Sequence, residues 1–453
     1  MLLLYNIFSA LILIIYLPWL IFKKGPESRL AFIRERLGIS RYEETDIWIH
    51  AVSVGETIAS LPLMKKLRKE YPDKRIVFST TTYTGQKIAL EKFPEADRIM
   101  YMPWDTGLCA GRVINQLKPD IFITIETEIW PLLYNRLKNT GSRIILINGR
   151  LSEKSYKEYR LIKFLMKKVL SDVDFFFMQS DDDASKIIKL GADETKVSVM
   201  GNLKFDMDFT RRTPLPWLDD ISGQILLAGS THRGEDEIIL DAYEKIKGGK
   251  LLRSGVRGQG SEARDLSTAD RTKGQRHKEK TESIQQTLNL KLILAPRHPE
   301  RFDEVERIIK RRGLNYIRRT EIIQQTPEHS LPDVILLDTI GELSQLFSMA
   351  YITFIGGSLL PYGGHNILEP AYWGKPVIFG PYMDNFPIAS EFLAKSAAFQ
   401  VNDSDDIAAR VIELLEDDDK AEAIGNKAKE IVDANAGAAN KAIGLIRSLL
   451  GTV

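Results

Sequence analysis

Three acidic residues and one lysine in the first half of the chain have types and surroundings that could do acid–base chemistry. Glu56 follows the small-residue turn Ser53-Val54-Gly55, directly after the apolar run DIWIHAV (46–52). A carboxylate at the start of a helix can act as a general base, or can be a first-turn acid favoured by the helix dipole. Glu126 and Glu128 lie two apart in ITIETEIWP (123–131) and share one face if the chain is still extended there. Two acids, an aromatic and a proline at a strand end suit a site better than a core. Lys204, in GNLKFD (201–206), adds a cation near a domain junction.

The second half carries chemistry suited to phosphate. AGSTHRGED (228–236) reads as strand, small-residue turn, then helix, so Ser230, Thr231 and the following amides could hold an anion. It has neither Walker-loop spacing nor a dinucleotide GxGxxG. PRHPER (296–301) places Arg297 and His298 just after a strand, where an arginine fork fits phosphate. In DTIGEL (338–343), Thr339 reads as an N-cap for a helix starting near Gly341-Glu342. In IGGSLLPYGGHNILEP (355–370), paired glycines allow close backbone approach to a ligand. There Glu369, three beyond Asn366, can share its helix face and accept from ribose hydroxyls.

The elements that must position these residues are two successive α/β patterns. Apolar runs 46–52, 75–80, 98–102, 120–126, 143–148 and 174–179 alternate with helix-like stretches, one with an apolar stripe of Ile58, Leu61, Met64 and Leu67. Runs 224–230, 290–295, 333–338, 351–357 and 376–380 repeat the scheme. Strand–helix alternation predicts parallel, doubly wound sheets, with ligands at the carboxyl ends of strands. The expected architecture is two Rossmann-like domains facing a cleft, over 23–209 and 221–453, joined by a two-proline linker at 210–220. The last helix has the option of packing back on the first domain.

Composition narrows the classes further. With 62 Lys+Arg against 61 Asp+Glu, the net charge of +1 argues against a bulk nucleic-acid binder. One cysteine, Cys109, excludes an internal disulfide framework and a cysteine-cluster metal site. The six histidines form no HExxH, and Asp181-Asp182-Asp183 and Asp417-Asp418-Asp419 read as helix starts or turns. Residues 1–22 contain no charged side chain and are followed by Lys23, Lys24, Arg29, Arg34, Arg36 and Arg41. That pattern predicts a membrane anchor, spanning or lying in the interface, with the rest of the chain on the cytoplasmic side. Residues 248–287 hold nine Lys/Arg and five Asp/Glu with few large apolar side chains, and read as a disordered insert.

The ordered series SVGE, ETEIWP, GNLKFD, GSTHRGE, PRHPER, DTIGEL and GGHNILEP resembles the 3-deoxy-D-manno-octulosonic acid (Kdo) transferases of lipopolysaccharide assembly. The resemblance covers nearly the whole chain; the 248–287 segment is the departure, standing where the family has a short turn. It implies an inverting GT-B glycosyltransferase that moves Kdo from CMP-Kdo to the lipid A precursor (lipid IVA) at the cytoplasmic face of the inner membrane. It implies Glu56 as general base, with Glu126 and Lys204 assisting the transition state. It implies that Pro296-Arg297, Ile340-Gly341-Glu342 and Asn366-Ile367-Leu368-Glu369 hold CMP. Ser230, Thr231, His298 and His365 stand as further donor contacts. No metal or cofactor is implied, CMP-Kdo being the donor substrate. The alternatives are another GT-B enzyme using a UDP-sugar (a lipid A disaccharide synthase or a UDP-sugar epimerase) and a non-catalytic, membrane-tethered nucleotide-binding protein.

Overall fold

The computed structural model describes residues 1–22, 29–210, 215–218, 221–248, 289–322 and 331–450. The proposed insert at 248–287 lies, beyond Gly248, outside the described residues. The chain divides into two compact units, Met1–Asp208 with Asn435–Val453, and Phe209–Ala434.

The first unit is built on seven parallel strands: β1 (Ile47–Ala51), β2 (Ile76–Thr80), β3 (Arg98–Tyr101), β4 (Ile121–Ile125), β5 (Arg143–Gly149), β6 (Phe175–Met178) and β7 (Val197–Val199). Their order in the sheet is β3-β2-β1-β4-β5-β6-β7. Successive residues of a strand point to opposite faces, and both faces of the inner strands β1, β2, β4 and β5 are buried. Trp48, Phe122, Ile144 and Phe176 pack in one core, and Ile47, Ile49, Ile121, Ile123 and Ile145 in the other. The second core is completed from the far end of the sequence: Ala438, Ala442, Ile443 and Ile446 of the helix Ala438–Leu450 pack with Leu63, Met64 and Leu67.

The apolar stripe expected over 58–67 is not one helix. Helix Val54–Ala59 stops and helix Leu61–Glu70 restarts, with Pro62 in its first turn. Proline is tolerated in a first turn and not in a helix interior, so Ser60 becomes the joint, and Ile58 is left exposed.

In the second unit the strands are β8 (Gln224–Thr231), β9 (Leu290–Pro296), β10 (Tyr316–Arg318), β11 (Val334–Leu336), β12 (Ile352–Ile355), β13 (Val377–Phe379) and β14 (Ala398–Gln400). They run parallel in the order β10-β11-β9-β8-β12-β13-β14. Within the stretch read as a linker, Trp217 is fully buried, its Nε1 donating to Glu342 Oε2 at 3.1 Å and Arg319 lying over its ring.

Helix Leu2–Phe22 forms as its apolar composition dictates. Among the described residues, however, no helix is long and apolar enough to cross a membrane. The expected spanning anchor is therefore not supported. The helix makes a polar contact with the rest of the first unit at an exposed position: Asn6 Oδ1 accepts from the Gly107 amide at 2.8 Å.

Candidate active site

The first sheet reverses its winding between β1 and β4, and the loops leaving those two strands are where a doubly wound sheet presents ligands. Both carry candidate acids. After β1, Ser53 caps helix Val54–Ala59 and Glu56 occupies its third position, a capping-box arrangement. Glu56 Oε2 accepts from the Val52 amide at 2.6 Å and Oε1 from Ser53 Oγ at 2.8 Å. The bland and the chemical readings of this residue are thus both realised in one side chain. Burial pushes its carboxyl above the usual range, against the opposing pull of those hydrogen bonds and of Lys204.

After β4 the chain is not extended, which corrects the alternation argument for Glu126 and Glu128. Glu126 has φ of 60°, a left-handed conformation that non-glycine residues seldom adopt and that costs roughly 1–3 kcal/mol. The turn is held by Glu126 N donating to Ile147 O at 2.8 Å and by a reciprocal clamp between Thr127 Oγ1 and the Arg150 backbone. The Tyr134 hydroxyl donates to the Glu128 carbonyl. Both acids still join one electrostatic cluster. Burial, then the neighbouring Glu56 charge, raises the Glu126 carboxyl, while Lys204 and Arg150 oppose the rise. Glu128 is pushed up to about 7 by burial and by the Glu56 and Glu126 charges.

Lys204 lies in a short 3-10 turn, Leu203–Asp206, capped by Asn202. Asn148, itself at φ of 62°, accepts from the Leu203 amide at 3.0 Å. Asp206 accepts from the Gly437 and Ala439 amides at 2.5 and 2.6 Å, tying this turn to the C-terminal helix. Asn148 was not singled out from the sequence. An asparagine ending an otherwise apolar strand was the available signal.

The second sheet reverses between β8 and β12, and its phosphate-like motifs meet there. Ser230 takes φ of 59° at the end of β8. Thr231, expected to face a donor, is instead fully buried and donates through Oγ1 to Asp236 Oδ1 at 2.6 Å; Asp236 also pairs with Arg301. Thr231 therefore serves the framework. The amides of Gly357, Ser358 and Leu359 all donate to the buried Glu235 carboxylate, as does the His232 amide. That explains one of the expected glycines: a Cβ on Gly356 would lie 2.3 Å from Ser230 O, so the residue is there for backbone packing rather than for a ligand.

Arg297 and His298 are exposed just beyond β9. Ile340 is 81% exposed and Gly341 has φ of 95°, leaving the 340–341 backbone open to solvent. Glu342 is engaged by Trp217 and by Arg319 at 2.8 Å. Thr339 does not cap: helix Leu343–Met349 begins after Glu342, and Thr339 Oγ1 is buried with no hydrogen-bond partner. Asn366 donates to Glu369 Oε1 at 3.1 Å and accepts from the Leu368 amide, fixing both ends of the Asn366-Ile367-Leu368-Glu369 turn. His365 Nε2 lies 2.8 Å from His232 Nε2, a partner the sequence did not point to. His50, by contrast, is a core residue, its Nδ1 bonded to Ser79. Among the described residues no group of three or more His, Cys, Asp or Glu is placed to hold a metal ion.

Comparison with known proteins gives these sites a context. Residues 31–207 match the family described as 3-deoxy-D-manno-octulosonic-acid transferase (kdotransferase). A bifunctional glycosyltransferase/methyltransferase of Fusobacterium nucleatum is 33% identical over 426 residues, covering 91% of this chain and 59% of that protein. In fold, the chain is similar to a solved UDP-N-acetylglucosamine 2-epimerase of Listeria monocytogenes, with TM-score 0.55 and 13% identity over 89% of this chain and 96% of that one. A 3-deoxy-D-manno-octulosonic acid transferase of Haemophilus influenzae is 32% identical over 412 residues, covering 89% of this chain and 87% of its own length. With so much of both chains aligned, and with the acids and the lysine gathered at one sheet reversal, the protein belongs to the 3-deoxy-D-manno-octulosonic acid transferase family.

Proposed function

We propose that this chain is an inverting glycosyltransferase of GT-B type that moves Kdo from CMP-Kdo to the lipid A precursor. The observation that carries it is the Glu56–Glu126–Glu128–Lys204 cluster at the reversal of the first sheet. Glu56 takes the proton from the acceptor hydroxyl; its raised pKa brings it nearer the range in which a carboxylate is an effective base. Its two hydrogen bonds hold it in one orientation, which a base needs more than strength. Glu126 and Lys204 stabilise the transition state on the same unit. One base and no enzyme nucleophile mean a single displacement with inversion, by the reasoning used for glycosidases.

The second unit holds the donor. Arg297, placed by the buried Pro296 that ends β9, receives the phosphate, Ile340-Gly341-Glu342 offer backbone beside it, and the Asn366–Glu369 turn, with Glu369 held by Asn366, accepts from the ribose. His298 follows Arg297 and His365 precedes Asn366 on these loops, and Ser230 lies at the end of β8. Fixed cations and amides supply the charge the leaving phosphate requires, so this route draws on no divalent metal.

The acceptor is a lipid, which fits a membrane-associated enzyme. Leu3, Leu4, Phe8, Ile14 and Ile15 of the N-terminal helix are exposed while Asn6 docks it to the protein. An apolar surface followed by the Lys23–Arg41 basic run supports association with the face of the inner membrane. The test is direct: purified enzyme, CMP-Kdo and lipid precursor, with products weighed by mass spectrometry. Transfer that depends on Glu56 supports the reading, and no mass gain from CMP-Kdo refutes it.

A further inference from the structure

The second unit brings half of the chain's six histidines together. His232, after β8, and His365, in the loop that follows β12, meet Nε2 to Nε2 at 2.8 Å with their ring planes within 13° of each other and centroids 5.1 Å apart, a nearly coplanar, edge-to-edge pair. His298, after β9, meets His232 edge-on with centroids 5.3 Å apart, and Tyr362 stacks on the other side of His232 at 4.3 Å. The framework is made for this pair. Glu235 accepts from the His232 amide and from the amides of 357–359, joining the two loops, and Gly364 N donates to Gly357 O. Gly357, at φ of 70°, sits beneath both rings: a Cβ there would lie 3.1 Å from the His365 ring and 3.4 Å from that of His232.

Two imidazole nitrogens at this distance share one proton. If both rings were charged, two N–H groups would point at each other, so the pair is either neutral or carries a single added proton. The charged groups around it are mostly cationic. Arg297 and Arg301, together with the imidazole of His298, come from the β9 end; Arg301 is already paired with Asp236, and Glu235 is satisfied by four amides. Arg233, on the same turn as His232, is occupied by Glu304. Burial first, then repulsion from the neighbouring imidazoles and arginines, holds His232 below its ordinary value and His365 down to about 4. Both shifts favour the neutral pair at pH 7, beside two arginines.

We infer that the His232–His365 pair, with Arg297, forms a proton-gated anion subsite that binds an acidic group of the donor and takes up one proton in doing so. This rests on the proposed donor, which offers two such groups, the phosphate of the nucleoside monophosphate and the carboxylate of the ulosonic acid. An anion beside the pair reverses the sign of its surroundings, the shared proton becomes a charged hydrogen bond, and cationic repulsion is relieved.

The test is calorimetric titration of the full chain at pH 7 in two buffers of different ionisation enthalpy, with CMP, free Kdo and cytidine as separate probes. Uptake of about one proton is expected with the probe that carries the bound anion. Uptake with CMP assigns the phosphate, uptake with Kdo alone assigns the carboxylate, and cytidine takes up none. His365→Gln and His232→Gln keep a neutral hydrogen-bonding side chain; each abolishes uptake and weakens the anionic probe about tenfold. Binding of CMP or Kdo without proton uptake, or uptake that persists in both folded variants, overturns the inference and leaves the proposed function standing. Failure of CMP and Kdo to bind at all overturns both.

Discussion

Glu56 caps a helix and is also the proposed base, and two substitutions separate those duties. Glu56→Ala removes the acceptor of the Val52 amide and of Ser53 Oγ, bonds of 2.6 and 2.8 Å, in a buried place. Loss of such a cap costs about 1–2 kcal/mol, which for a unit of this size lowers Tm by roughly 2–8 °C. Glu56→Gln keeps an amide oxygen for Val52 and an NH₂ group for Ser53. Because burial raises the Glu56 pKa, the ionised form is the one the folded protein disfavours, so the neutral isostere keeps Tm unchanged or raises it. Both variants lose the base, and transfer falls at least ~10²-fold, about 2.7 kcal/mol on the barrier. Initial rates with CMP-Kdo and lipid acceptor, beside thermal unfolding curves, check all four values. Transfer within tenfold of the parent in folded Glu56→Gln would refute the base assignment. A Tm drop in Gln as large as in Ala would refute the electrostatic reasoning.

Other expectations follow from the same contacts. Glu128, at about 7 in the folded protein against about 4.5 unfolded, binds a proton that unfolding releases. Its ionisation cost is thus absent below pH ~4.5 and fully present above pH ~7, so stability falls as pH rises through that window. Glu128→Gln flattens this part of the Tm–pH curve; an unchanged slope sinks the idea. Asp206→Ala leaves the Gly437 and Ala439 amides without their acceptor, costs about 1–2 kcal/mol, and speeds amide exchange in the C-terminal helix first. Trp217→Ala empties a fully buried site and costs about 3–5 kcal/mol by denaturant titration, whereas a Trp217 in a mere connector would cost almost nothing. Gly357→Ala combines a left-handed φ with contact on the histidine pair and should weaken CMP binding; an unaltered Kd would show the rings can move aside.

Where the sequence succeeded and failed follows from burial. Every apolar run of five or more residues that was read as a strand is one, because a strand covered on both faces must be apolar throughout. The three unforeseen strands, Val197–Val199, Tyr316–Arg318 and Ala398–Gln400, are three-residue strands at sheet edges, half exposed and so unmarked by composition. Glu56 was visible because its spacing to Ser53 is local. Thr231 misled because its partner, Asp236, is buried by a helix turn whose direction no spacing reveals. His232 went unweighed because its partner is 133 residues away, and only a fold brings the two together.

The return of residues Asn435–Val453 to the first unit has a consequence for how the protein is made. Ala438, Ala442, Ile443 and Ile446 fill a core whose other members lie between residues 47 and 203. During synthesis that core stays open while the whole of the second unit is translated, and it closes only when the last helix has left the ribosome. At ~5–20 residues per second the wait is tens of seconds, with an apolar groove uncovered throughout. A premature stop near codon 435 would leave the second unit intact and damage the first, which carries Glu56. The newborn chain thus keeps apolar surface uncovered at its N-terminal half, and the unit that carries the proposed base closes after the other has been made.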